Sequence, residues 1–201
     1  MEIIIHRRNT MADLKATPTD YGVELDVRSF GGRLVIHHDP FVVGEDFQEW
    51  LSVYEHGTLI LNVKEEGLEY RLVELMARHG VNNYFFLDQS FPFLVKSAQI
   101  GEKRCAVRVS EYESIDTAMA LAGKIDWIWV DCFTKFPLIG KDATRLKKAG
   151  FRLCLVSPEL QGRDAVVEIP QLARFIREER IRPDAVCTKR PDIWEKMVLS
   201  V

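Results

Sequence analysis

A chain of 201 residues, 47% hydrophobic and 28% charged, can bury one substantial core and has the balance of an ordinary globular domain. Its formal net charge of -3, with no long Lys/Arg cluster, excludes the electrostatic footprint of a nucleic-acid binder. No apolar run approaches a membrane span, and Met1-Glu2-Ile3-Ile4-Ile5-His6-Arg7 lacks the basic-then-apolar layout of a signal peptide, so the expectation is one cytoplasmic domain over residues 1–201.

Ile3-Ile4-Ile5 is a continuous β-branched run, the sign of a strand buried on both faces, and it ends on His6-Arg7. Asn9 to Thr17 reads as a short helix closed by Pro18 and Gly22. From Tyr21 to Pro40 the chain is the most informative. Val23, Leu25 and Val27 alternate with Glu24, Asp26 and Arg28, so a strand sends apolar residues to one face and charges to the other. Two carboxylates on one buried face repel each other and lose hydration together, which a hard divalent cation between them would offset; a solvated face with Arg28 as counter-charge is the plainer alternative. Gly31-Gly32 turns the chain into Leu34-Val35-Ile36, which ends on His37, His38 and Asp39.

A helix is expected from Asp46 to Glu55, a strand over Leu59 to Lys64, and an amphipathic helix from Gly67 to His79 with Leu68, Leu72, Leu75 and Met76 on its apolar face. The alternation then repeats: strands over 84–88, 105–110, 127–131, 152–157 and 185–188, helices over about 93–100, 114–122, 141–149 and 169–179, and a closing helix from Pro191 to Leu199. About eight strands alternating with helices predict a compact (β/α)₈ TIM barrel. A doubly wound open sheet is the alternative, without a glycine-rich phosphate loop after the first strand to support it. Cys105, Cys132, Cys154 and Cys187 have no C-x-x-C spacing and read as buried free thiols.

Nearly every apolar strand terminates in polar residues: His6, Glu24 with Asp26, Asn62 with Lys64, Asp88, Arg108, Asp131, Ser157, and Thr188 with Lys189. In a parallel barrel these ends share the rim where active sites are built. Loop polarity explains several of them, but not charges inside the strand period at Glu24, Asp26 and Lys64. Trp127 and Trp129 are expected to point inward with Asp131 as core packing.

The strand ending His6-Arg7, the E-x-D at Glu24 and Asp26, the glycine turn and the H-D at His38-Asp39 resemble the N-terminal signature of the glycerophosphodiester phosphodiesterase family, whose relatives include sphingomyelinase D-type phospholipases and phosphatidylinositol-specific phospholipases C. The motif similarity covers the first third of the chain; later segments such as W-V-D-C-F and V-S-P-E-L-Q-G-R look like a distinct bacterial branch. The resemblance implies a metal-assisted phosphodiesterase acting on a small glycerol- or sugar-bearing phosphodiester by hydrolysis or cyclisation. It makes His6 and His38 the acid/base pair and Glu24 and Asp26 holders of a divalent cation, Mg²⁺ or Ca²⁺. Arg7 would bind phosphate, and Lys64 would offset charge on the phosphoryl group.

The chain departs from the family pattern in three places. H-R-G is His6-Arg7-Arg8, the following acidic-Asn segment is shortened to Asn9-Thr10, and a third acidic ligand is missing where Asn62 or Lys64 stands. The preferred alignment puts Asn62 at the ligand position. The alternatives are that the Lys64 ammonium replaces the ion, or that Asp88 or Asp131 supplies the acid. His37 competes with His38, since alternation lets only one face the site. Arg108 and Lys189 are candidate phosphate contacts, and Glu159 a candidate sugar-hydroxyl contact. Two rival readings use the same residues: a non-catalytic barrel binding a phosphorylated sugar, and a Schiff-base lyase or aldolase built on Lys64.

Overall fold

A computed structural model describes residues 1–198. The chain runs β1 (Glu2–Ile5), α1 (Met11–Ala16), β2 (Gly22–Phe30), β3 (Arg33–Ile36), β4 (Glu45–Asp46), α2 (Phe47–Leu51), β5 (Leu59–Val63), α3 (Glu69–Arg78), β6 (Tyr84–Leu87), α4 (Phe91–Gln99), β7 (Ala106–Val109), α5 (Ile115–Met119), β8 (Trp127–Val130), α6 (Gly140–Lys148), β9 (Arg152–Val156), a 3₁₀ turn (Pro158–Gln161), α7 (Ala165–Glu178), β10 (Ala185–Thr188) and α8 (Pro191–Val198). The expected end of the last helix, Leu199, lies outside the described residues. No helix among the described residues is long and apolar enough to cross a membrane.

Strands β6-β5-β2-β1-β10-β9-β8-β7 form a parallel sheet in that order, with β3 and β4 added antiparallel as a flap on β2. The sheet curls until its edge strands meet at one bridge, Phe86 to Cys105, where the Phe86 N–H donates to the Arg104 carbonyl at 2.8 Å. The overall class is therefore a mixed α/β fold with helices on the convex side of a curled parallel sheet, as the strand and helix alternation leads one to expect.

Side-chain alternation sorts the core into two layers. Val23, Leu25 and Val27 of β2 and Leu59, Leu61 and Val63 of β5 join the helix-facing core with Trp50, Leu72, Leu146 and Trp194. Ile4, Ile60, Phe85, Trp127, Trp129, Cys154 and Cys187 make a separate cluster on the concave face. The two tryptophans thus pack inward as expected, and all four cysteines are buried and free. Because the apolar members of β2 and β5 face the helices, Glu24, Asp26 and Asn62 are forced onto the concave side, where Glu24 and Asp26 are 0% exposed.

Local chemistry moved some boundaries. The expected helix from Asp46 to Glu55 is confined to Phe47–Leu51, and Asp46 pairs with β3 and caps its start, accepting from the Gln48 and Glu49 N–H groups. Gly44 permits that pairing, since a Cβ there would meet the Ile36 carbonyl oxygen at 2.3 Å. Helix α7 begins at Ala165, ahead of the expected Ile169, because Asp164 accepts from the Val166 and Val167 N–H groups. The 3₁₀ turn after β9 was not expected; Pro158 favours its first position and Gly162 ends it in a left-handed conformation (φ 77°).

Candidate functional site

At the C-terminal ends of the strands the concave face opens into a polar cavity of about 220 Å³, lined by His6, Arg7, Glu24, Asn62, Lys64, Leu87, Asp88, Arg108, Trp129, Asp131, Val156, Leu160, Gln161 and Lys189. Nine of the residues singled out from sequence for roles at the site meet there: His6, Arg7, Glu24, Asn62, Lys64, Arg108 and Lys189, with Asp88 and Asp131, the alternative third acids. Asp26 sits fully buried directly beneath them, reached by Arg7, Asn9 and Lys64.

The end of β1 is bent onto Glu24 by a backbone strain. Arg7 adopts φ 54°, a left-handed conformation uncommon for a non-glycine residue. This turn lets the Arg7 N–H donate to Glu24 Oε2 at 2.7 Å and the Arg8 N–H donate to the Glu24 carbonyl at 2.7 Å. His6 Nε2 lies 3.7 Å from the same Oε2. Asp88, on the opposite wall, has the same unusual conformation at φ 59°.

Asp26 is held from three sides. Asn9 Nδ2 donates to Oδ2 at 2.8 Å while Asn9 Oδ1 accepts the Asp26 N–H at 3.0 Å; Arg7 Nε lies 3.4 Å from Oδ2, and Lys64 Nζ lies 3.3 Å from Oδ1. Lys64 also reaches Asp88 Oδ2 at 3.3 Å, and Asp88 in turn pairs with Arg108. The charges thus form a chain from Arg7 through Asp26, Lys64, Asp88 and Arg108 to Asp131, whose Oδ2 is 3.4 Å from Arg108 Nη1. Lys189 lines the cavity without a carboxylate partner among the described residues.

Burial decides protonation here. Loss of hydration, reinforced by the cations Arg7 and Lys189, pulls His6 down to about 3, so its ring is neutral at pH 7. Burial and the neighbouring Asp26 charge push Glu24 up to about 7, against the Asn62 amide and the Arg7 N–H that favour its anion. Burial likewise raises Asp131, although Cys132 N–H and Gln161 Nε2 both donate to its Oδ1, at 2.8 and 2.7 Å.

Several buried polar atoms of this site lack a hydrogen-bond partner: His6 Nδ1, Asp26 Oδ1 and Asn62 Oδ1. Asn62 turns its Nδ2 on Glu24 Oε1 at 2.9 Å and leaves its own oxygen unmet. Two carboxylates with one unsatisfied amide oxygen are a hard-oxygen donor set of the kind Mg²⁺ and Ca²⁺ take. They fit such a cation through Glu24, Asp26 and Asn62, though no group of three His, Cys, Asp or Glu gathers around one point among the described residues.

Two sequence candidates are not brought to the cavity. Glu159 does not bind there: its Oε1 accepts from Thr188 Oγ1 at 2.5 Å and the Lys189 N–H at 2.9 Å, and its Oε2 accepts from Ser157 Oγ. It fastens the ends of β9 and β10 together, and the lining residue of that turn is Gln161 instead. His38 stands on the loop after β3, half-exposed, with Nδ1 at 2.8 Å from Asp39 Oδ1. The His38 hydrogen bond holds Asp39 below the usual carboxylate range, and the loop is tied back to β2 by Arg28, whose Nε donates to the His38 carbonyl at 2.8 Å. His37 is turned away on the Asp39 backbone, with its Nδ1 accepting the Asp39 N–H at 2.9 Å. Asn9 and Gln161 were not identified from sequence; Asn9 had a signal in the shortened segment after His6-Arg7, whereas nothing in S-P-E-L-Q-G separates Gln161 from a loop residue.

No family model matches the sequence, and no curated protein aligns with it significantly. Solved structures do share its fold. A glycerophosphodiester phosphodiesterase from Agrobacterium tumefaciens superposes with a TM-score of 0.69 at 15% identity, covering 98% of this chain and 99% of that one. A putative glycerophosphodiester phosphodiesterase from Galdieria sulphuraria gives 0.73 at 13% identity, covering 98% and 97%. A glycerophosphoryl diester phosphodiesterase from Parabacteroides distasonis gives 0.65 at 14% identity, covering 99% and 86%.

Proposed function

We propose that this chain is a phosphodiesterase of the glycerophosphodiester type, cleaving a small phosphodiester in the rim cavity. The observation that carries the reading is the convergence of His6, Glu24, Asp26 and Lys64 at one polar pocket, with the cations Arg7, Arg108 and Lys189 around it. A phosphodiester is an anion that repels nucleophiles, and fixed cations near its oxygens lower that barrier. The fold shared over nearly the whole chain with structures of that activity supports the same reading, and the Phe86–Cys105 bridge supports closure of the sheet into a (β/α)₈ barrel. Four buried free thiols suit a reducing, cytoplasmic setting.

In this mechanism the neutral His6 ring accepts a proton at the reacting oxygen and returns it, and the Glu24 carboxylate 3.7 Å from Nε2 offsets the charge that His6 carries meanwhile. His38 stands outside the cavity with its Nδ1 on Asp39, so His6 alone handles the proton. Lys64 and Lys189 bind the phosphoryl oxygens. Glu24, Asp26 and Asn62 are the residues to hold Mg²⁺ or Ca²⁺, which when bound supplies Lewis-acid polarisation of a phosphoryl oxygen. One observation favours a second arrangement: the Lys64 ammonium already stands 3.3 Å from Asp26 Oδ1, where it can substitute for the ion. A Schiff-base role suits Lys64 poorly, because such lysines sit in apolar surroundings and this one bridges two carboxylates.

Purified protein is expected to hydrolyse bis(p-nitrophenyl) phosphate, and His6→Gln to lower kcat by about 10²–10⁴-fold with an unchanged melting temperature. Loss of activity in EDTA, restored by Mg²⁺ or Ca²⁺, supports the metal; full activity in EDTA supports the ammonium. Binding of sugar phosphates with no turnover in any metal would replace the enzyme with a binding barrel.

A further inference from the structure

We infer that a hollow at the N-terminal end of the sheet binds a small anionic amphiphile, a medium-chain carboxylate whose alkyl body fills the hollow and whose head meets Arg177, Arg180 and Arg182. The site lies at the opposite end of the strands from the rim cavity and goes beyond the phosphodiesterase reading. It is formed by α7, α8, the loop from α7 to β10, and Met1 ahead of β1.

The hollow measures about 380 Å³, at the small end of the range that ligand pockets occupy. Its floor is apolar, because Ile176, Ile181 and Trp194 are buried members of the helix-facing core. Met1 and Met197 stand beside them, and an unbranched thioether adapts its shape to a flexible apolar guest.

Every charge that lines the hollow is positive. Among the described residues none of Arg177, Arg180 and Arg182 ion-pairs with a carboxylate, although Arg174 on the same helix meets Glu178 at 3.1 Å. The acids nearest to them in the chain are already engaged. Glu178 serves Arg174, Glu179 Oε2 accepts the Gly140 N–H at 2.7 Å, and Asp184 accepts from Lys147 Nζ and the Leu153 N–H, both at 2.7 Å. Three like charges around one apolar hollow repel each other, and an anion among them removes that cost. Guanidinium groups suit a carboxylate because their paired N–H donors match its two oxygens.

The backbone gives a second, independent reason. Arg180 holds φ 56° just past the Glu179 cap of α7, where a helix stop favours glycine. Cations near a helix C-terminus offset its dipole, which accounts for Arg177. That does not account for a bulky cation kept in a left-handed conformation at 180, nor for Arg182 on the loop beyond. What the three share is the hollow.

Calorimetric titration of the full chain with octanoate, hexanoate and octan-1-ol tests the site. Octanoate should bind about tenfold more tightly than hexanoate, the worth of two buried methylenes, and at least ~10-fold more tightly than octan-1-ol, which lacks the charge. Arg182→Gln and Arg180→Gln should each weaken octanoate severalfold and leave octan-1-ol affinity and hydrolysis of bis(p-nitrophenyl) phosphate unchanged. Arg182 is an exposed loop residue, so its variant tests the site even where the strained position 180 does not tolerate Gln. No octanoate binding, or octan-1-ol binding as tightly as octanoate, overturns the inference. So does displacement of octanoate by inorganic phosphate, which would place the carboxylate in the rim cavity. A dimer that Arg182→Gln dissociates, or adsorption to phosphatidylglycerol vesicles that it abolishes, also overturns it, by giving the hollow to a second copy or to a lipid surface.

Discussion

The two ends of the curled sheet use their charged side chains differently. At the N-terminal end two acids, Glu2 and Asp184, have their donors at short range. Glu2 accepts from the Thr58 N–H and Oγ1, both at 2.6 Å, and Asp184 accepts from Lys147 Nζ at 2.7 Å and the Leu153 N–H at 2.7 Å. At the C-terminal end, beside backbone and amide donors at 2.7–2.9 Å, the ion pairs of Glu24, Asp26 and Lys64 lie at 3.3–3.7 Å, His6 Nδ1, Asp26 Oδ1 and Asn62 Oδ1 make no hydrogen bond, and Arg7 and Asp88 hold left-handed backbone. A satisfied polar network fixes strand register; an under-satisfied one is poised for a ligand. That separation of stability from chemistry is what variants can test.

The largest effect on stability should come from the N-terminal end. Glu2 is packed so closely that a Cβ on Gly57 would meet its Oε1 at 2.5 Å, and Gly22 at 3.0 Å. Glu2→Ala strands the N–H of Thr58, a residue 2% exposed whose hydroxyl keeps Asn83 Nδ2 at 2.9 Å, at about 1–3 kcal/mol for one buried unpaired group. The melting temperature should drop by at least about 2 °C, while kcat of the folded fraction stays at the wild-type value. A matching loss of kcat at a temperature where the variant is fully folded would show that the two ends are not separable.

The difference between the ends also explains what could be read from sequence. The concave carboxylates were legible because Glu24 and Asp26 break a strand's apolar period, a signal that needs no tertiary knowledge. The mixed α/β class followed from eight apolar runs alternating with helices. Glu2 was illegible: a charged residue at the start of a chain looks solvated, and only the glycines at 22 and 57, distant in sequence, reveal its burial. Glu159 and Gln161 were confused for a related reason. They are two residues apart on a turn whose 3₁₀ geometry decides which faces inward, and S-P-E-L-Q-G does not encode that decision in any period. The placement of His38 was missed because alternation stops at the end of β3, after which Asp39 sets its direction.

A second effect separates the ends by pH. Glu24, raised from 4.5 to about 7, holds its proton more tightly in the folded chain than in the unfolded one. Its contribution to stability is complete below pH 4.5, declines as pH rises toward 7, and is constant above that. His6, lowered from 6.5 to about 3, acts oppositely: its contribution is complete above pH 6.5 and is lost as pH falls toward 3. Glu24→Gln removes only the first dependence. Its melting temperature minus that of the wild type, measured without added metal, should therefore rise between pH 4.5 and 7, by an amount corresponding to on the order of 2–3 kcal/mol. A flat difference would mean that the Asn62 and Arg7 N–H donors keep Glu24 ionised throughout and that the rim is less starved of counter-charge than its geometry indicates.

The smallest effect comes from the same backbone strain placed at opposite ends. Arg180, just past the Glu179 cap of α7, holds φ 56°, with its N–H on the Arg177 carbonyl at 3.1 Å and the Ile181 N–H on the Ile176 carbonyl at 2.9 Å, a helix stop that favours glycine. Arg180→Gly relieves a left-handed penalty of about 1–2 kcal/mol and adds unfolded-chain entropy that cancels part of it. The net gain of about 0.5–1 kcal/mol should raise the melting temperature by roughly 1–4 °C with activity unaltered. Arg7→Gly relieves the same strain at φ 54° but withdraws the guanidinium 3.4 Å from Asp26 and beside the phosphate. It should lower kcat/KM by tenfold or more, as expected for loss of a charged contact of about 1.5–3 kcal/mol, whatever it does to stability. The pair isolates the side chain from the backbone, because both substitutions make the identical conformational change. If Arg7→Gly kept full activity, the strained turn after β1 would owe its shape to the Glu24 hydrogen bonds alone, and the anion-binding role of Arg7 would pass to Lys64 and Lys189.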